Sequence, residues 1–154
     1  MVDADHAHDI ETRRSVTAAL FFLHGTPVKW YSKCQHTVET STYGSEITAM
    51  KIAIEITMEM RYNKLRMLDV PIEGPTDILG DNQAVILNCS RPESMLKKKS
   101  HSISWNYARE SVACGICRPR SIKSKENLSD MLTKALAPNV MYELTRNILF
   151  GRDT

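Results

Sequence analysis

The stretch Thr76-Asp77-Ile78-Leu79-Gly80-Asp81-Asn82-Gln83-Ala84-Val85 decides how the chain is read. Five residues with apolar Ile78 and Leu79 end in glycine, then an acid, then a polar pair opening a helical pattern. This predicts a short strand over 76–80 and a helix over 82–88. Strand, tight connection and helix in that order belong to α/β architecture with parallel pairing. In open α/β sheets ligands bind outside the carboxyl ends of the strands. Asp81 stands at such an end.

Working outward, residues 43–68 carry two apolar stripes, Ile47/Met50/Ile54/Met58 and Ile52/Ile56/Met60. That pattern predicts a long helix with a wide apolar surface, with Thr42 as its N-cap. Residues 16–23 are apolar on both faces and predict a strand. His24-Gly25-Thr26-Pro27 is a turn. In 28–33, Val28, Trp30 and Ser32 alternate with Lys29, Tyr31 and Lys33, predicting a second strand with one buried and one wet face. Beyond Asp81, a basic loop over 91–100 precedes a helix over 103–114. Then come a strand over 116–122, a polar turn, a short helix over 128–135 ended by Pro138, and a last helix over 141–150. Early strands form a meander and later ones return through helices. The expectation is a mixed sheet with helices on its faces.

At 154 residues with 42% hydrophobic and 25% charged content, the chain fits one globular domain. The net charge is +2, but residues 91–134 hold ten Lys/Arg against four Asp/Glu. A basic second half beside an acid-bearing first half suits a polyanion held near a metal, although composition alone describes a solvated face. No apolar run approaches the roughly 18 residues of a membrane span. The acidic N-terminus is not that of a signal peptide, and the expected setting is intracellular with reduced thiols. Cys114-Gly115-Ile116-Cys117 is a lone C-x-x-C at a helix end. It lacks the second ligand pair of a structural zinc site and is read as incidental, a thiol-metal protein being the remote alternative.

Four acids have unusual settings. Asp3 lies on the expected first strand, Glu46 at the start of the long helix beside Ile47, Asp81 after its strand, and Asp130 inside Leu128-Ser129-Asp130-Met131-Leu132. An acid among apolar neighbours is costly unless compensated. Any one has a structural explanation, Asp130 as a helix N-terminal acid for example. The functional reading rests on all four converging. Asp5, two residues after Asp3, is read as a solvated acid. His6, His8, His24 and His36 are read as surface or turn residues, and Trp30 and Trp105 as packing residues.

These motifs resemble the ribonuclease H domain of copia-type retrotransposon polyproteins. The resemblance is carried by Val38-Glu39-Thr40-Ser41-Thr42-Tyr43-Gly44-Ser45-Glu46, Leu79-Gly80-Asp81-Asn82-Gln83-Ala84-Val85 and Leu128-Ser129-Asp130-Met131-Leu132-Thr133-Lys134. Val2-Asp3-Ala4-Asp5, Arg14-Ser15-Val16-Thr17, Trp30-Tyr31-Ser32-Lys33 and Lys97-Lys98-Lys99-Ser100-His101 with Arg109-Glu110 fit the same pattern, in order, from residue 2 to about residue 136. Asn106 departs from it, standing where related sequences often carry histidine.

The resemblance implies a ribonuclease H-like α/β fold, a five-stranded mixed sheet of order 3-2-1-4-5 flanked by helices. It implies a domain over 1–136 with a shortened first strand and a helical tail over 137–154. It implies an endonuclease that hydrolyses the RNA strand of RNA/DNA hybrids with two Mg²⁺ ions, or Mn²⁺ in their place. The metal ligands would be Asp3, Glu46, Asp81 and Asp130. Asp3 and Asp81 would bridge, Glu46 would serve the ion nearer the leaving group, and Asp130 the ion nearer the attacking water. Such chemistry needs hard oxygen ligands, hence carboxylates and not Cys/His. His101, between the third and fourth acids, takes the part of a mobile histidine assisting product release. Lys97, Lys98 and Lys99 would meet the nucleic-acid backbone by charge. Asn82 and Gln83 either bond sugar hydroxyls or cap their helix. The implied partners are the hybrid and the reverse transcriptase domain of a parent polyprotein. The implied location is cytoplasmic, in a virus-like particle, or nuclear. A truncated, inactive remnant that keeps the fold and at most binds nucleic acid is the alternative.

Overall fold

The computed structural model describes residues 1–96 and 98–149. Strands β1 (Val2–Asp5), β2 (Val16–Leu23) and β3 (Thr26–Cys34) pair antiparallel in the order β1-β2-β3. Strands β4 (Thr76–Gly80) and β5 (Cys117–Ser121) pair in parallel, joined through helices α2 (Gln83–Ser90) and α3 (Ser102–Ala113). Helix α1 (Thr42–Glu59) follows β3, and α4 (Pro138–Leu149) closes the described chain.

The alternation of β2 sorts the core into two layers. Ala19 and Phe21 face a cluster with Ile47, Met50 and Ile54 of α1, Val85 of α2 and Ala108 of α3. Leu20 and Phe22 face the opposite way, onto Leu128, Met131, Leu144 and Ile148. Helix α4 is thereby docked on the sheet through Leu144. Helices thus cover both faces, as expected for an α/β domain.

The sheet differs from expectation at its centre. β1 and β4 lie side by side: a Cβ at Gly80 would sit 3.6 Å from Val2 Cγ1. Yet no hydrogen-bonded ladder joins them, so the expected order appears as 3-2-1 beside 4-5. Leu20 N donates to Met1 O (2.9 Å), so in the antiparallel alternation the carbonyl of Val2 turns away from β2. Asn127 Nδ2 donates to that carbonyl at 3.0 Å, occupying a ladder position with a side chain.

Smaller departures have local causes. Ser41, not Thr42, caps α1, its hydroxyl accepting from Gly44 N at 3.2 Å. Past Glu59 the helix widens into a π-helical turn, Met60–Leu65, and Arg61 reaches Thr76 Oγ1 and Gly74 O, both at 2.8 Å. The expected helix over 128–135 is a 3₁₀ turn, Leu128–Leu132. Pro138 does end the preceding run, but it also begins α4, where its missing N–H costs nothing. The inward face of β3 is Lys29/Tyr31: Tyr31 packs on the α1 layer and Lys29 Nζ meets Glu59 Oε2 at 3.2 Å. Trp30 is 72% exposed and is no core residue.

Gly44, in the first turn of α1, is a packing requirement. A Cβ there would lie 2.5 Å from His101 Cε1 and 2.6 Å from Glu39 Oε2. His101 is buried, so it cannot swing aside into solvent. In an exposed helix Gly→Ala stabilises by about 1 kcal/mol. Here Gly44→Ala is expected to lower stability instead, by about 1–3 kcal/mol from overpacking, as read by urea unfolding.

Candidate metal centre

Each acid arrives on a different element. Asp3 is on β1, 1% exposed and opposite Ala18 of β2. Asp81 follows β4, and Asp130 sits in the 3₁₀ turn. Each offers a carboxylate oxygen within 4.8 Å of the other two. Glu46, in the second turn of α1, shares their field. Burial, then the charges of Asp3 and Asp81, raise its carboxyl from 4.5 to about 8, with Lys134 opposing and Asp130 adding to the rise. Burial and then Asp3 raise Asp130 to about 6. The structure therefore brings the four sequence-selected acids together, three in a tight group and Glu46 beside them.

The donors are all carboxylate oxygens, close together and partly dehydrated. That set suits a hard divalent cation such as Mg²⁺, with Mn²⁺ as a substitute. Burial and like charges together disfavour the charged form of Glu46, and a divalent ion would supply further opposite charge to favour it.

Four residues escaped the sequence reading. Lys134 Nζ lies 3.2 Å from Asp130 Oδ1 and 3.4 Å from Asp3 Oδ2. Burial alone would lower its pKa, but Asp3 and Asp130 outweigh that and raise it. Buried Thr133 donates its hydroxyl to Asp3 Oδ2. Ser124 Oγ donates to Asp81 Oδ2 at 2.7 Å. Asn127 bonds Val2 O, as above, and its Oδ1 accepts from Ser129 N at 3.3 Å. Thr133 and Lys134 follow Asp130 in the third quoted motif, so adjacency to that acid was the available signal.

The structure does not bring His101 to the acids. It is 3% exposed, with Nδ1 3.4 Å from Glu39 Oε2 and its ring edge-on to Tyr43. Buried and wedged over Gly44, it is not placed as the mobile histidine assisting product release that the resemblance implies. Asn82 Oδ1 accepts from Ala84 N (3.1 Å) and Val85 N (3.3 Å), so the capping reading holds for it. Its amide nitrogen and exposed Gln83 stay available near Asp81. Lys98 and Lys99 are exposed before α3; Lys97 lies outside the described residues. Asp5 pairs with His8 Nδ1 at 2.7 Å and does not join the acid group. Cys89 and Cys117 are buried, and burial pushes their thiols up to about 12 and about 11, which makes them unreactive.

The fold and the site together define an α/β domain of ribonuclease H-like fold with an acidic cluster at the carboxyl end of β4. The N-terminal RNase H domain of rv2228c from Mycobacterium tuberculosis, solved fused to maltose-binding protein, superposes with a TM-score of 0.59 over 95% of each chain at 14% identity. No protein-family model matches the chain. In sequence it is similar to retrovirus-related Pol polyproteins of plant transposons. It is 28% identical over 148 residues to that of TNT 1-94 from Nicotiana tabacum, covering 96% of this chain and 11% of that protein. It is 25% identical over 148 residues to that of RE2 from Arabidopsis thaliana, covering 95% and 10%. To RE1 of the same plant it is 27% identical over 137 residues, covering 88% and 9%. The chain thus spans about a tenth of the length of these relatives, and both comparisons agree with the resemblance read from its motifs.

The raised carboxyl of Glu46 sets a pH dependence. Unfolded, Glu46 ionises near 4.5; folded and metal-free, near 8. Its contribution to stability is complete below about 4.5 and is lost as pH rises through about 8. Thermal melts in chelator should show Tm falling across that interval. Glu46→Gln should flatten the fall and gain roughly 5 °C near the top of it.

Proposed function

We propose that this chain is a ribonuclease H domain that hydrolyses the RNA strand of RNA/DNA hybrids with divalent metal, Mg²⁺ in the first instance. The observation that carries the reading is the convergence of Asp3, Asp81 and Asp130, with Glu46 beside them, from four separate elements. The fold and the Pol polyprotein relatives support it. Asp3, Glu46, Asp81 and Asp130 would hold two ions. Bound there, such ions lower the pKa of water and offset charge on the reacting phosphate.

The protein's own groups do the positioning. Thr133 fixes Asp3 Oδ2, and Ser124 fixes Asp81 Oδ2, so each keeps a second oxygen for a ligand. Lys98 and Lys99, with Lys97, would hold the phosphate backbone by charge, giving affinity that falls with salt. Gln83 and the free amide of Asn82 would meet sugar hydroxyls, the groups that distinguish RNA from DNA. The Pol polyprotein relatives support a polyprotein context; a reverse transcriptase domain as partner and a location in cytoplasmic particles or the nucleus are proposed with it. Among the described residues, no helix is long and apolar enough to cross a membrane.

A labelled RNA/DNA hybrid incubated with the protein and Mg²⁺ should be cut in its RNA strand. Asp81→Asn should reduce cleavage to the level seen in chelator while leaving hybrid binding in place. Binding without cleavage by the unaltered chain would instead establish the inactive-remnant reading.

A further inference from the structure

The acid group is electrostatically lopsided. On the Asp81 side the contact is a neutral hydroxyl, Ser124 Oγ. On the Asp3–Asp130 side it is an ammonium: Lys134 Nζ reaches an oxygen of each acid, at 3.4 and 3.2 Å. Lys134 is also the cation that opposes the acids in the field at Glu46. Its side chain is 36% exposed, so it has a route to solvent, whereas the side chain of Asp3 is buried and has none. A lysine ammonium and a divalent ion seek the same carboxylate oxygens and repel each other at such distances.

We propose that Lys134 is an internal competitor for one of the two metal positions. It holds Asp3 and Asp130 until a second divalent ion displaces it, so the centre fills in two unequal steps. The first ion enters on the Asp81 side with Lys134 in place. The second requires the ammonium to swing out to solvent. The inference rests on the metal-dependent reading above and adds to it the order of filling and the residue that sets it. Lys134 acts through the ligands and is a positioning residue.

The test is Mn²⁺ titration of the full chain, followed by electron paramagnetic resonance and calorimetry, without substrate. The unaltered protein should bind one ion and then a second about tenfold or more weakly. Lys134→Gln and Lys134→Met should tighten the second site about tenfold and leave the first within about threefold. Lys134→Arg keeps the charge and should keep the gap. Metal-free melts report whether each variant is folded. An unchanged gap in folded neutral variants, or loss of both sites, overturns the competitor role. Failure of both neutral variants to fold makes Lys134 a scaffold residue and overturns it too. Absence of any Mn²⁺ binding by the unaltered chain removes the metal-centre reading itself, and this inference with it.

Discussion

Four carboxyl groups confined to one half-buried place repel one another, and much of the surrounding structure answers that repulsion. Ionised acids a few ångströms apart with little water between them cost far more than the same acids on a surface. The chain responds in three ways. Glu46 is held neutral over most of the physiological range by its surroundings. Lys134 supplies one opposite charge, to Asp3 and Asp130. Thr133 and Ser124 donate hydroxyl hydrogens to Asp3 and Asp81. These devices make the acid cluster tolerable without removing its appetite for cations.

The same constraint shapes the backbone around it. Asp3 reaches the cluster only if β1 lies beside β4, yet these strands share no ladder. Asn127 stands in for part of it, bonding Val2 O with one end and capping the Leu128–Leu132 turn with the other. That one side chain therefore ties the strand carrying Asp3 to the turn carrying Asp130. Leu128, next along, packs against Leu20 and Leu144 and fixes the turn from below. Placement of the acids is thus a property of the second apolar layer as much as of the sheet.

What the sequence revealed and concealed follows from range. Asp81 was legible because its setting, strand before and helix after, is local. The same holds for Glu46 beside Ile47 and for Asp130 inside an apolar run. Thr133 and Asp3 are 130 residues apart, and nothing in either segment announces that contact. Strand alternation told which residues of β3 share a face but not which face is covered. Val28 and Trp30 are the more apolar set, but α1 lies over Lys29 and Tyr31, and tertiary packing decided the matter. His101 failed for a related reason. Its position between the third and fourth acids is a sequence fact, while its burial over Gly44 depends on how α1 and α3 meet.

That meeting also bears on the metal centre. Ser45 immediately precedes Glu46, and its carbonyl accepts from buried Gln35 Nε2 at 2.9 Å; the same nitrogen reaches Thr17 Oγ1 of β2, also at 2.9 Å. Gly44, one residue earlier, is pressed against His101 and Glu39. The start of α1 is therefore pinned on one side to the sheet and on the other to the segment entering α3. A glutamate has three side-chain torsions and would ordinarily find its own way to solvent. Pinning the two residues before it removes the backbone's share of that freedom. Glu46 can then be kept among like charges at the cost of a raised pKa, where a looser helix start would let it escape. Burial of His101, which sets it apart from the mobile histidine the resemblance implies, is part of what holds Glu46 in place.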